Sequence, residues 1–246
     1  MKKINSRKEE VVNFFDEFAP EYNKVRFSSK KQKIISKIAI NTVAELAGKT
    51  DNKKILDAGC GSGRYTIHFT NKHANVFSVD SSEKMLKILK VESNNSKPIA
   101  GDIFNLPFKN DSFDLIISSQ VLTHLHEYEK PLIEFKRILN SHGYIIIDLR
   151  NSLYPISYLR NMYPKYEIDK DPKYNPNLIS IFKIERICNK LNLEIEEFRG
   201  VGLSGLNIFL NKESERRIKI EKSISNTILR YFAPTLILKI KKLNTN

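Results

Sequence analysis

Glycine at every second position, Gly59, Gly61 and Gly63, directly after the apolar run Ile55-Leu56-Asp57-Ala58, constrains this 246-residue chain more than any other feature. A short buried strand that runs into a tight glycine turn needs a helix behind it to return the chain across the sheet. The sequence supplies that helix over Arg64 to Lys72 and then repeats the alternation. Asn75–Asp80, Ile99–Asp102, Phe113–Ser118 and Gly143–Asp148 read as further strands, with helices over Ser82–Val91 and Glu129–Leu139. Each strand is a near-continuous apolar run, which predicts a parallel sheet covered on both faces.

The flanks read differently. Val11, Val12, Phe14, Phe15 and Phe18 form a helical stripe that is expected to stop at Pro20, and a second helix runs from Ser29 to about Leu46, ended by Gly48. Residues 1–50 are therefore N-terminal helices and 51–150 the core of a single domain. Residues 151–246 begin with a Tyr- and Pro-rich stretch to about Asn177, expected to form a loop or lid. A helix near Leu178–Leu191 and a strand at Glu194–Phe198 follow. An inserted amphipathic basic helix over Glu213–Tyr231 comes next, expected to lie over the active face, and then a last strand at Thr235–Ile240.

Charge separates the same regions. The net charge is +13, with 11 basic and 6 acidic residues in 1–50 and 9 basic and 3 acidic in 211–246, so the centre is nearly neutral. Basic ends around a neutral core suggest an anionic partner, such as a phosphate-bearing or lipid-linked molecule or a membrane surface. A biased residue usage would give the same pattern. The 41% apolar content supports a buried core, and no apolar run approaches the roughly 20 residues of a membrane-spanning helix. The N-terminus lacks the apolar stretch of a secretion signal, and two cysteines, Cys60 and Cys188, are too few for a disulfide framework or a zinc cluster. A cytoplasmic protein is expected, peripheral at a membrane at most, with no metal and no obligate protein partner.

The glycine turn lets the backbone approach a ligand, and amides at a helix start favour a carboxylate or phosphate. Its spacing differs from the dinucleotide pattern G-x-G-x-x-G, whose third glycine would fall at Arg64. About 20 residues on, Asp80 ends the second strand, where an acid accepts hydrogen bonds from a ribose diol. Ser81 or Ser82 can cap the following helix in its place. Gly101-Asp102-Ile103 ends the third strand, where Asp102 can accept from an exocyclic amine and Ile103 pack on a purine face, or the acid can serve a turn. His124, just beyond the fourth strand, is a candidate general base. Its alternative is to order the loop, while His126 is the more exposed and His68 a packing or surface residue.

Asp57-x-Gly59-x-Gly61-x-Gly63, Asp80, Gly101-Asp102 and Phe113-Asp114-Leu115-Ile116-Ile117-Ser118-Ser119-Gln120-Val121-Leu122-Thr123-His124-Leu125 together resemble class I S-adenosylmethionine-dependent methyltransferases. Glu134-Phe135-Lys136-Arg137-Ile138-Leu139-Asn140-Ser141-His142-Gly143 is similar to that family's stretch before strand five, and Phe14 to Tyr22 to the leading helix of its small-molecule members. The resemblance implies a Rossmann-like, doubly wound α/β fold with a mostly parallel seven-stranded sheet. It also implies S-adenosylmethionine as cofactor. Asp57, Gly59, Gly61 and Gly63 would hold the methionine end, and Asp80, with Ser81 beside it, the ribose. Asp102 and Ile103 would frame the adenine, and Ser118 and Ser119 would line the floor below the sulfonium. Tyr22 and Arg26 would close over the cofactor, with Arg26 or Arg64 reaching its carboxylate, and His124 would lie near the transferred methyl.

The acceptor is expected to be a small molecule, foremost a hydroxyl of a sugar, glycan or lipid-linked intermediate. Transfer RNA is the second expectation, since the core also resembles wobble-uridine methyltransferases and +13 suits a polyanion. A dinucleotide-dependent oxidoreductase or a non-catalytic relic of the fold is the third.

Overall fold

The computed structural model describes residues 2–26, 29–155, 176–203 and 214–243. Two N-terminal helices, α1 (Lys2–Arg26) and α2 (Lys30–Ala47), precede β1 (Lys54–Ala58) and α3 (Arg64–Thr70). Then come β2 (Asn75–Asp80), α4 (Glu83–Glu92), β3 (Lys97–Ala100) and β4 (Phe113–Ser118). The chain continues through α5 (Glu129–Ile138), β5 (Leu139–Arg150), α6 (Ile181–Lys190), β6 (Leu193–Val201), α7 (Ser214–Ile224) and β7 (Thr235–Lys242). The seven strands form one sheet in the order β3-β2-β1-β4-β5-β7-β6. Strands β1 to β5 pair in parallel, while β7 runs antiparallel to both β5 and β6.

The sheet divides the core by the strand period of two. Leu56, Ile116, Ile145 and Ile147 pack on one face with Leu132, Phe135 and Ile138 of α5 and Ile184 of α6. Ile55, Leu115, Ile117 and Ile146 face the other way, toward Ile38 and Val43 of α2 and Phe69 of α3. Because β1, β2, β4 and β5 are parallel, Ala58, Asp80, Ser118 and Arg150 end on one edge of the sheet. That carboxyl edge is where an open α/β sheet holds its ligand.

Two expectations about helices change. α1 continues through Pro20 to Arg26. A mid-helix proline removes a backbone hydrogen bond at a cost of about 3 kcal/mol. Here the lost bond is offset by contacts on both sides of Pro20, where Asp16 accepts from Ser82 Oγ and Asn23 from Ser62 Oγ. The helix expected over Glu213–Tyr231 is broken, with α7 ending at Ile224 and a separate 3-10 turn over Ile228–Phe232.

α7 is also a brace rather than a cover. Glu221 is buried and accepts hydrogen bonds from the amides of Gly202 and Leu203, Lys222 pairs with Glu45 of α2 at 2.8 Å, and Ile218 packs on the α2 face of the core. Of the lid stretch expected between Asn151 and Asn177, residues 156–175 lie outside the described residues. Among the described residues, no helix is long and apolar enough to cross a membrane, and no His/Cys/Asp/Glu group is placed to hold a metal.

Candidate active site

A cavity opens at the carboxyl edge of the sheet, floored by the ends of β1, β2 and β4 and roofed by α1. Tyr22, Arg26, Asp57, Gly59, Gly61, Asp80, Ser81, Asp102, Ile103, Ser119 and His124 all line it. Gly63 and Ser118 do not. Gly63 starts α3 with φ +90, and a Cβ there would meet Leu89 Cδ1 at 2.3 Å, so its glycine serves helix packing. Ser118 is fully buried, and its hydroxyl has no hydrogen-bond partner among the described residues.

The glycine loop closes on itself. The amides of Gly59 and Cys60 both donate to Val79 O, at 2.7 and 3.0 Å, and Gly63 N donates to Cys60 O at 2.9 Å. Gly61 N donates to Asp80 Oδ2 at 2.7 Å. These four amides fix the turn and are distinct from the amides at the start of α3. The glycines still serve the ligand sterically. Gly59 and Gly61 have φ +76 and +54; a Cβ at Gly59 would meet Val121 Cγ2 at 2.1 Å, whereas one at Gly61 would meet nothing within 4 Å, so the wall at Gly61 is bare backbone facing open space.

Two carboxyls meet at this loop. Asp57 is 2% exposed, and its Oδ2 accepts from both the amide (2.9 Å) and the hydroxyl (2.7 Å) of Thr66, tying α3 to β1. Burial pushes its pKa up to about 6, against the lowering effect of the Thr66 hydrogen bonds and the nearby Arg64. Asp80 takes Gly61 N on one oxygen and Ser82 N at 2.9 Å on the other, and burial raises its pKa too. Ser82, not Asp80, caps α4 through its hydroxyl. A carboxylate has about four lone-pair sites, so Asp80 can still accept from a ligand diol.

α1 is tied across the opening. Lys8 pairs with Asp102, whose other oxygen accepts Phe104 N at 3.1 Å. Arg26 donates to the Tyr22 hydroxyl and lies over the Tyr22 ring at 5.3 Å. Phe15 meets His124 edge to face, with ring centroids 5.2 Å apart. Val11, Val12, Val121 and Leu125 extend this apolar wall.

The exit of β4 holds a network that the motif reading did not anticipate. Arg64 Nη2 donates to Ser119 Oγ at 2.6 Å, and Ser119 Oγ donates to Asp148 Oδ2 at 2.6 Å. Asp148 also accepts the Gln120 amide and, at 3.0 Å, its side-chain nitrogen. Gln120, with φ +59, lines the cavity beside Arg64 and Tyr65. Burial drives the Tyr65 hydroxyl up to about 12, so it stays protonated. The signal available in the sequence was the acid at the end of the fifth apolar run, the same position that singled out Asp80.

A seven-stranded sheet with the last strand reversed, and a ligand cavity at the ends of β1, β2 and β4, define a Rossmann-like methyltransferase fold. A family model described as a methyltransferase domain matches residues 56–147. Residues 56–147 are thus similar to a methyltransferase domain rather than to a dinucleotide oxidoreductase. An uncharacterized protein of Methanocaldococcus jannaschii is 34% identical over 149 residues, covering 58% of this chain and 61% of that protein. A demethylmenaquinone methyltransferase of Paenarthrobacter aurescens is 30% identical over 166 residues, covering 66% of this chain and 63% of its own. The chain thus spans somewhat under two thirds of these two relatives. Among solved structures, magnesium protoporphyrin IX methyltransferase from Synechocystis, with bound SAH, superposes with a TM-score of 0.67 at 16% identity, covering 96% of this chain and 99% of that one.

Proposed function

We propose that this chain transfers the methyl group of S-adenosylmethionine to a hydroxyl of a small, largely apolar aromatic acceptor. The cavity's donors and acceptors fit the cofactor. Asp57 beside Arg64 suits an ammonium with its carboxylate, Asp80 a ribose diol, and Ile103 a flat base with Asp102 at its edge. When bound, the cofactor supplies an activated methyl on a positive sulfur, so the protein's part is alignment and proton handling.

The observation that carries the acceptor reading is the Phe15–His124 pair within the apolar wall of Val11, Val12, Val121 and Leu125. An aromatic ring can stack there with its hydroxyl against the imidazole, and His124 takes the hydroxyl proton on a ring nitrogen as the nucleophile forms. A sugar would leave its many hydroxyls against that wall without partners, which costs free energy. The relative named as a demethylmenaquinone methyltransferase favours a quinone-like acceptor over the sugar or glycan expected first.

The test is methyl transfer from labelled S-adenosylmethionine to a reduced quinone, a catechol, a sugar and transfer RNA, read by mass spectrometry. Methylation of the aromatic hydroxyl compounds is expected. Methylation of the sugar or the RNA alone would overturn the reading.

A further inference from the structure

Asp148 touches neither the glycine loop nor Asp80, and it lies at the end of β5, two strands from β1. It is 3% exposed, its described partners are three donors from Ser119 and Gln120, and the guanidinium of Arg64 is 3.8 Å away. A carboxylate with that many donors can only accept, so the polarity of everything around it is determined. Ser119 must give its proton to Asp148 and take one from Arg64. Gln120 must turn its nitrogen to Asp148, which leaves its side-chain oxygen as the atom presented on the other side.

We propose that Asp148 is a positioning residue for the methionine end of the cofactor, acting through Gln120 and Arg64. It holds the Gln120 side-chain oxygen as an acceptor for the ammonium and, by way of Ser119, holds the Arg64 guanidinium as a donor for the carboxylate. This rests on the reading of the cavity as a cofactor site. Three features support it. Gln120 adopts a left-handed backbone, costly for a side chain this long, and both its amide groups are held by Asp148. Arg64 is only 16% exposed on its side chain and stacks on Tyr65 at 4.5 Å, so its described Nη2 contacts fix the plane of the guanidinium. Both residues line the cavity beside Asp57, while Asp148 itself is absent from the lining.

The experiment compares Asp148→Asn with wild type by calorimetry, using two ligands: S-adenosylhomocysteine and 5′-methylthioadenosine, which keeps the adenosine and sulfur and lacks the amino-acid end. An asparagine at 148 presents a donor on one side, so it can no longer accept from Ser119 and both Gln120 groups together. Affinity for S-adenosylhomocysteine is expected to fall at least tenfold, with methylthioadenosine affinity unchanged within twofold. Gln120→Glu should likewise weaken S-adenosylhomocysteine binding at least tenfold while sparing methylthioadenosine, because two carboxylates would then face each other. An equal loss for both ligands would make Asp148 a structural residue and overturn the proposal, as would no loss for either. A wild-type protein that binds neither ligand would overturn the cofactor reading of the cavity instead.

Discussion

Asp57 makes the proposed cofactor site pH-dependent in a direction opposite to that of an ordinary salt-bridged aspartate. Its ordinary value is 3.8 and in the folded chain it is about 6, with burial as the leading cause. That difference corresponds to about 3 kcal/mol between the two protonation states. The folded protein binds more protons than the unfolded chain between these values, so stability falls as pH rises through the window. Above about pH 6 the chain carries a buried carboxylate next to a cavity, and a cofactor ammonium beside it would relieve that condition. Binding therefore requires the ionised form, and affinity is expected to fall about tenfold from pH 7 to pH 5, each further step of 1 pH costing about 1.4 kcal/mol.

Calorimetry of S-adenosylhomocysteine at pH 5, 6, 7 and 8, in two buffers of different ionisation heat, should show release of about one proton per site at pH 5. Asp80 is raised by burial as well, so Asp57→Asn is the control. It keeps an oxygen for Thr66 and should flatten most of the slope while raising the melting temperature of the free protein at pH 8. A dissociation constant that is flat from pH 5 to pH 8 would refute the reasoning. So would a slope that Asp57→Asn leaves intact.

Replacing His124 by alanine should lower turnover on the aromatic acceptor 10²-fold or more with cofactor affinity unchanged, the range expected for a general base; steady-state kinetics beside calorimetry checks both. Gly63→Ala should cost about 2–4 kcal/mol, because φ is +90 and the buried Leu89 side chain stands 2.3 Å from the new Cβ, and thermal unfolding should show a drop of roughly 5–10 °C. Gln at both Lys219 and Lys222 should leave the cofactor dissociation constant unchanged within twofold, since α7 packs on α2; a tenfold change by calorimetry would place α7 at the cavity after all.

What could be read from the sequence was whatever is written locally. The strand Phe113–Ser118, the Ser29 cap and the Gly48 stop of α2 each depend on neighbours within a few residues, and each falls where its residues predict. The ordered acids at strand ends were legible for the same reason. What was hidden depends on pairs distant in sequence. Asp148 meets Gln120 across 28 positions, Asp16 meets Ser82 across 66, and Lys8 meets Asp102 across 94. Pro20 looked like a helix end because its local cost is real, while the contacts that outweigh it come from the far wall of the cavity. The broken helix near the last strand shows the reverse error. Ile224 and Ile228 kept helical spacing, but Thr227 caps the 3-10 turn with its own hydroxyl and starts the chain afresh.

The place of β7 has a consequence for how the chain assembles. It is the last strand in chain order, yet it is flanked on both sides, by β5 through Tyr144–Arg150 and by β6 through Leu193–Val201. Strands β1 to β5 can pair among themselves as soon as residue 150 is available. β6 cannot, because its only sheet partner among the described residues is a strand made more than thirty residues later. Until β7 is made, β6 lacks its sheet partner and β5 keeps an open edge, the arrangement that invites wrong pairing. The salt bridges of Glu194 and Glu196 with Lys239 and Lys241 bias which strand fills that gap and in which register. The strands that bear the cavity are thus all synthesised before the strand that joins them to the far edge of the sheet.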